Sequence, residues 1–173
     1  MTKRMCLILL TMILLTVPGL AWAADSPTAS LPNKDAIIAA ANLIEQEPFS
    51  QLGDTARGVI EDFAVKSDDV TVILAPSLLP WYGKSQWDKM LVGSYFAGNV
   101  RAQLQQHKKQ NDSYAGTLMV LHTYSEIQKN DKSFQLPELE KFKTLEQNHK
   151  LQQYLVDLEA KVTDKIKVAP SGK

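Results

Sequence analysis

The chain has 173 residues, about one domain's length, with 19 Lys+Arg against 19 Asp+Glu and no net charge. That balance argues against a general nucleic-acid binder, which needs surplus cations to displace counterions from phosphates. At 45% hydrophobic residues the chain is too apolar for disorder throughout, and its single cysteine excludes a disulfide framework or a multi-cysteine zinc site within one chain.

The first segment reads as an export signal. Lys3 and Arg4 precede an apolar run from Met5 to Val17, Pro18-Gly19 break it, and Ala21-Trp22-Ala23 gives the small-x-small pattern of a cleavage site. The run is shorter than the roughly 20 residues that a membrane-spanning helix requires. Cys6 lies inside it, not at the cleavage point where a lipid-attachment cysteine would stand. Cleavage after Ala23 leaves 150 residues, 17 Lys+Arg against 19 Asp+Glu, and no cysteine. A thiol-free exported chain points to a bacterial periplasmic or secreted protein, with no transmembrane span after cleavage.

The remainder reads as an all-α fold, a compact bundle of about five helices with one extended segment near 70–74 and a long C-terminal helix. Residues 24–32, with Pro27, Pro32 and several Ser and Thr, form a flexible leader before a single helical domain over 33–166. Asn33 caps a first helix carrying Ile37, Ala41 and Ile44 on one stripe, and Pro48 ends it. A second helix from about Gln51 to Lys66 places Leu52, Ala56, Val59, Ile60 and Phe63 on one face.

Val70-Thr71-Val72-Ile73-Leu74 is the one strand-like run, rich in β-branched residues, and the sequence shows no second strand to pair with it. A proline-bracketed connector, Ala75 to Gly83, follows. Ser85-x-x-Asp88 resembles a capping box and opens a third helix to about Lys109, with Gly93, Ala97 and Gly98 in its middle. Each glycine there costs about 1 kcal/mol relative to alanine, which predicts a helix crossing closely over Gly93–Ala97.

A fourth helix spans about Ser113 to Lys129, and a last one starts at Pro137 and extends to about Ile166, before a loose tail over 167–173. At about 100° per residue, Leu139, Phe142 and Leu145 occupy a different face from Leu151, Leu155, Leu158 and Val162. The last helix therefore either has two partners or breaks near Asn148-His149. The second stripe is read as free to meet another protein, a homodimer through the C-terminal helix included.

Catalytic signatures are sparse. There is no G-x-S-x-G elbow, H-E-x-x-H, phosphate loop or dinucleotide fingerprint. His107, His122 and His149 are scattered; His122 and Glu126 share a helical face but are only two ligands. Acidic neighbours such as Glu138 and Glu140 read as helix-start charges. No cofactor and no metal site is expected.

The most unusual feature is aromatic: Trp81, Tyr82 and Trp87, followed by Tyr95 and Phe96. Such side chains serve contacts with partners or anchor a connector on the core, and the core reading is favoured for the group. The candidate binding residues are Trp81, Tyr82, Trp87, Leu151, Leu155 and Leu158. The expected function is a non-enzymatic module that binds a protein or peptide in the cell envelope. The alternatives are a hydrolase whose carboxylate or histidine site is assembled only in the fold, and a toxin-neutralising or accessory protein.

Overall fold

A computed structural model describes residues 31–168. The expected signal (1–23), nearly all of the leader and the end of the tail lie outside the described residues. Among the described residues six helices follow one another: α1 Lys34–Gln46, α2 Gln51–Lys66, α3 Asp88–Gln106, α4 Ser113–Asn130, α5 Pro137–Gln147 and α6 Leu151–Val168. No strand occurs among the described residues, and the all-α bundle expected from periodicity is what the chain forms.

Local chemistry sets the boundaries. Asn33 Oδ1 accepts from Ala36 N at 2.8 Å, Ser50 Oγ from Gly53 N at 2.9 Å and Asp112 Oδ1 from Ala115 N at 2.9 Å, each taking an amide that the first turn leaves unpaired. The third helix starts later than the Ser85 motif implies. Asp88 points backward and accepts from Ser85 N at 3.1 Å and Ser85 Oγ at 2.9 Å, so it orders the turn before α3 and caps nothing inside it. The helix also ends three residues earlier than expected, because His107 takes a left-handed conformation at φ 53°.

The last predicted helix is two. His149 adopts φ 58°, His149 N donates to Glu146 O at 2.9 Å and Lys150 N to Leu145 O at 2.8 Å. These are the paired bonds of a Schellman C-terminus, which usually employs glycine at the left-handed position. The bend turns both apolar stripes inward: Leu139 and Phe142 of α5 and Leu151 and Leu155 of α6 are all buried in one core.

The antiparallel pair α3–α4 forms the centre. Ser94 Oγ meets Thr123 Oγ1 at 2.8 Å, and Gly98 lies against Ala115, so rising positions on one helix match falling ones on the other. Eight consecutive residues, Gly93 to Val100, are buried, the condition of a helix surrounded on all sides. The two glycines meet different neighbours. A Cβ on Gly98 would collide with the Ala115 carbonyl oxygen of α4, whereas one on Gly93 would lie 2.5 Å from Arg57 Cδ of α2.

One core cluster joins α1, α2 and α3 through Ile37, Ile44, Ile60, Phe63, Val100 and Leu104. The other joins the connector to α3, α4, α5 and α6 through Leu78, Trp81, Tyr95, Tyr124, Phe142 and Leu151.

The expected face of α2 is corrected. Ala56, Ile60 and Phe63 are buried, but Leu52 is 64% exposed and Val59 is also on the surface. The inward side is turned toward Gly53 and Arg57, because Arg57 threads its stem over Gly93 and donates from its guanidinium to the Pro48 carbonyl and to Asp54 Oδ1.

Candidate functional site

The extended run 70–74 has no strand beside it, yet one of its edges is fully served. Thr71 N donates to Gln103 Oε1 at 2.9 Å, and Gln103 Nε2 donates back to Thr71 O at 2.8 Å. A primary amide carries a donor and an acceptor side by side, so Gln103 offers Thr71 the same two partners that a neighbouring strand would. Two residues on, Ile73 N donates to Asn111 Oδ1 at 2.8 Å, and the Tyr95 hydroxyl reaches Ile73 O at 3.4 Å.

These amides are themselves fixed. Gln103 Nε2 also donates to Asn99 Oδ1 at 2.6 Å, and Asn99 Nδ2 donates to Asn111 Oδ1 at 2.9 Å. Asp112 N donates to Asn99 Oδ1 at 3.1 Å, while Glu159 Oε1 accepts from Asn111 Nδ2 and from Ser113 N, tying α6 into the network. Asn99, Gln103 and Asn111 are buried, and such groups are tolerated inside a protein when their hydrogen bonds are made. Burial raises the Tyr95 hydroxyl well above the ordinary tyrosine range, with the Glu159 charge adding to it, so the hydroxyl stays a donor.

The opposite edge differs. Along an extended chain, successive residues aim their N–H and C=O to alternate sides. Thr71 and Ile73 bond to the amides, whereas the backbone groups of Val72 and Leu74 have no partner among the described residues. Beside this run Leu74, Pro76, Leu79, Pro80, Tyr82 and Val92 form an open apolar groove of about 400 Å³. Its rim is exposed: Leu74 by 51% and Tyr82 by 63%.

The connector aromatics therefore separate. Trp81 is buried in the core with Leu78 and Leu91, as a connector anchor. Tyr82, the next residue, points out and borders the groove. Trp87 is half-buried and packs edge-on against Phe49, centroids 6.0 Å apart at 76°, where it borders a second cleft. Leu151 and Leu155 are completely buried, and Leu158 is partly buried against the same core. The stripe expected to meet another protein is thus covered by the chain's own α4 and α5, because the Asn148–Lys150 bend turns it inward.

The histidines go to backbone positions. His107 and His149 terminate helices, and His122 Nε2 lies 2.8 Å from the Glu45 carbonyl oxygen. Glu126 is paired with Lys129 at 2.5 Å instead of sharing a ligand with His122. Among the described residues no group of three or more His, Cys, Asp or Glu is close enough to hold a metal ion. The hydrogen bond from Arg101 holds the Glu45 carboxyl below the ordinary range, and that from Lys84 does the same for Glu138. No helix among the described residues is long and apolar enough to cross a membrane.

The amide network was not anticipated from sequence, although Asn99 and Gln103 stand four apart beside Val100 and Leu104, a polar pair within an apolar face. No protein-family model matches the chain, and no curated protein or solved structure is significantly similar to it.

Proposed function

We propose that this is an exported, non-enzymatic module that binds an extended peptide segment of another protein in the cell envelope. The observation that supports it is a non-helical run held by side-chain amides at alternate residues: Val72 and Leu74 have N–H and C=O groups without a partner among the described residues, beside an apolar groove. An edge of this kind takes up a peptide by main-chain hydrogen bonding, and a neighbouring pocket selects its side chains. Here the groove favours apolar or aromatic residues, since Leu74, Leu79, Val92 and the prolines line it. Export rests on the Lys3–Ala23 pattern of charge, apolar run and small-x-small site.

Selection of random peptides displayed on phage against the folded protein tests this reading. Enriched peptides are expected to alternate apolar and polar residues and to lose binding to Leu74→Pro. That substitution deletes the outward N–H but keeps an extended backbone and the bonds of Thr71 and Ile73. Peptides that bind Leu74→Pro and Tyr82→Ser as well as the native chain, or no enrichment at all, would exclude the proposal.

A further inference from the structure

Glu159 of α6 stands at the far end of the bonds that hold the extended run. Among the described residues Ile73 N has one acceptor, Asn111 Oδ1 at 2.8 Å, which also accepts from Asn99 Nδ2 at 2.9 Å. Asn111 belongs to the loop between α3 and α4, so no helix fixes the torsions of its side chain. Its amide is pinned from the other side instead. Nδ2 donates to Glu159 Oε1, which also accepts from Ser113 N at 3.1 Å, an amide in the first turn of α4. Glu159 is placed in turn by the packing of α6, one helical turn after the fully buried Leu155. Thr71 is served differently, since both its N and its O are bonded to Gln103 on α3.

We propose that Glu159 is a positioning residue for the peptide-binding run: through Asn111 it keeps Ile73 extended, so the seating of α6 governs how well the run receives a partner, a role that rests on the peptide-binding reading above. A carboxylate accepts only, so it takes Asn111 Nδ2 and leaves Oδ1 turned toward the two donors on the other side. An amide held at both ends does not rotate away, and a charge-assisted bond to Nδ2 strengthens the acceptor at Oδ1. Without Glu159 that rotation is free. Ile73 N then loses a fixed partner, and the run gains conformational freedom that a bound peptide has to remove. The fold should survive the loss, because Glu159, Asn111 and Ser113 border an open cleft of about 190 Å³ where water can take the vacated bonds.

Amide exchange of the full, unliganded chain compares Glu159→Ala, Glu159→Gln and, as a control, Gln153→Ala. Gln153 is exposed on α6, and its side chain bonds to Asp157 alone among the described residues. Ile73 is expected to exchange about three- to tenfold faster in Glu159→Ala, while Thr71 changes by less than about twofold. A general loss of stability speeds both, so the ratio separates positioning from destabilisation. Glu159→Gln keeps an oxygen for Asn111 Nδ2 and Ser113 N, and should restore Ile73 to within about twofold of the native rate. Peptides enriched on the native chain should bind Glu159→Ala about threefold or more weakly and Gln153→Ala as well as the native chain. An unaltered Ile73 rate in Glu159→Ala, equal acceleration of Ile73 and Thr71, or full peptide affinity in that variant would overturn the positioning role. Failure of every peptide to bind the native chain instead overturns the binding reading, a result that the exchange rates of the unliganded protein keep distinct.

Discussion

Replacing Gln103 by leucine isolates the hydrogen bonds that hold the extended run. The two side chains have similar volume, so the packing of α3 against its neighbours is largely preserved. What disappears is the bond from Thr71 N, the bond to Thr71 O and the bond to Asn99 Oδ1, all between 2.6 and 2.9 Å. Thr71 is exposed and recovers part of its loss from water, while Asn99 is fully buried and retains Asn111 and Asp112 N as partners. At about 1 kcal/mol net per bond, the expected loss is roughly 2–3 kcal/mol. In a domain of this size it lowers the melting temperature by about 6–10 °C. Urea unfolding at pH 7 measures it, with Gln106→Leu as the control. Gln106 is exposed on the same helix and bonds only to Asp112, at 3.3 Å, so its loss should stay within about 0.5 kcal/mol. Equal losses for the two variants, or less than about 0.5 kcal/mol for Gln103→Leu, would refute the surrogate-strand argument.

Three further outcomes follow from the fold. Gly98→Leu forces a side chain into the Ala115 carbonyl and Met119 Cβ, and circular dichroism melting should show at least about 3 kcal/mol lost as α3 and α4 separate. His149→Gly relieves a left-handed non-glycine residue at φ 58° and should raise stability by up to about 1 kcal/mol in urea unfolding; a decrease would contradict the strain assigned there.

Tyr124 is completely buried, and burial, the first cause, pushes its hydroxyl up to about 12. The unfolded value is about 10, so the fold favours the neutral phenol. Its contribution, at most about 2.7 kcal/mol, is fully present below pH 10 and is lost between pH 10 and 12. Tyr124→Phe, which also gives up the 2.7 Å bond to Glu140, should flatten that alkaline decline in a series of melting temperatures.

Much of the architecture was visible in local chemistry. Asn33 as a cap, the Ile37–Ile44 stripe, the small residues of α3 and the change of face at Asn148 each reflect one helix or one turn, and each appears in the fold. What escaped the pattern needed tertiary partners. Arg57 reads as a surface cation until Pro48, Asp54 and the space at Gly93 are brought to it. Its inward turn exposes Leu52 and Val59, which the apolar period placed inside. The Leu151–Leu155 stripe looked unpartnered because a bend of unknown angle precedes it.

The candidate site was half legible. The aromatic cluster pointed to the right stretch of chain, but Trp81, Tyr82 and Trp87 leave it in three directions: core, groove rim and second cleft. A connector without helical or strand period gives no register from which such directions follow. The partner of the 70–74 run was invisible for a related reason. It is a set of side-chain amides more than thirty residues away, and no backbone pattern announces it.

Amide hydrogen exchange of residues 71–74 in the unliganded protein tests the one-sided bonding of this run most directly. Thr71 and Ile73, bonded to Gln103 and Asn111, are expected to be protected, while Val72 and Leu74 exchange at close to the rate of an open chain. Protection spread evenly over all four amides, or absent from all four, would contradict it.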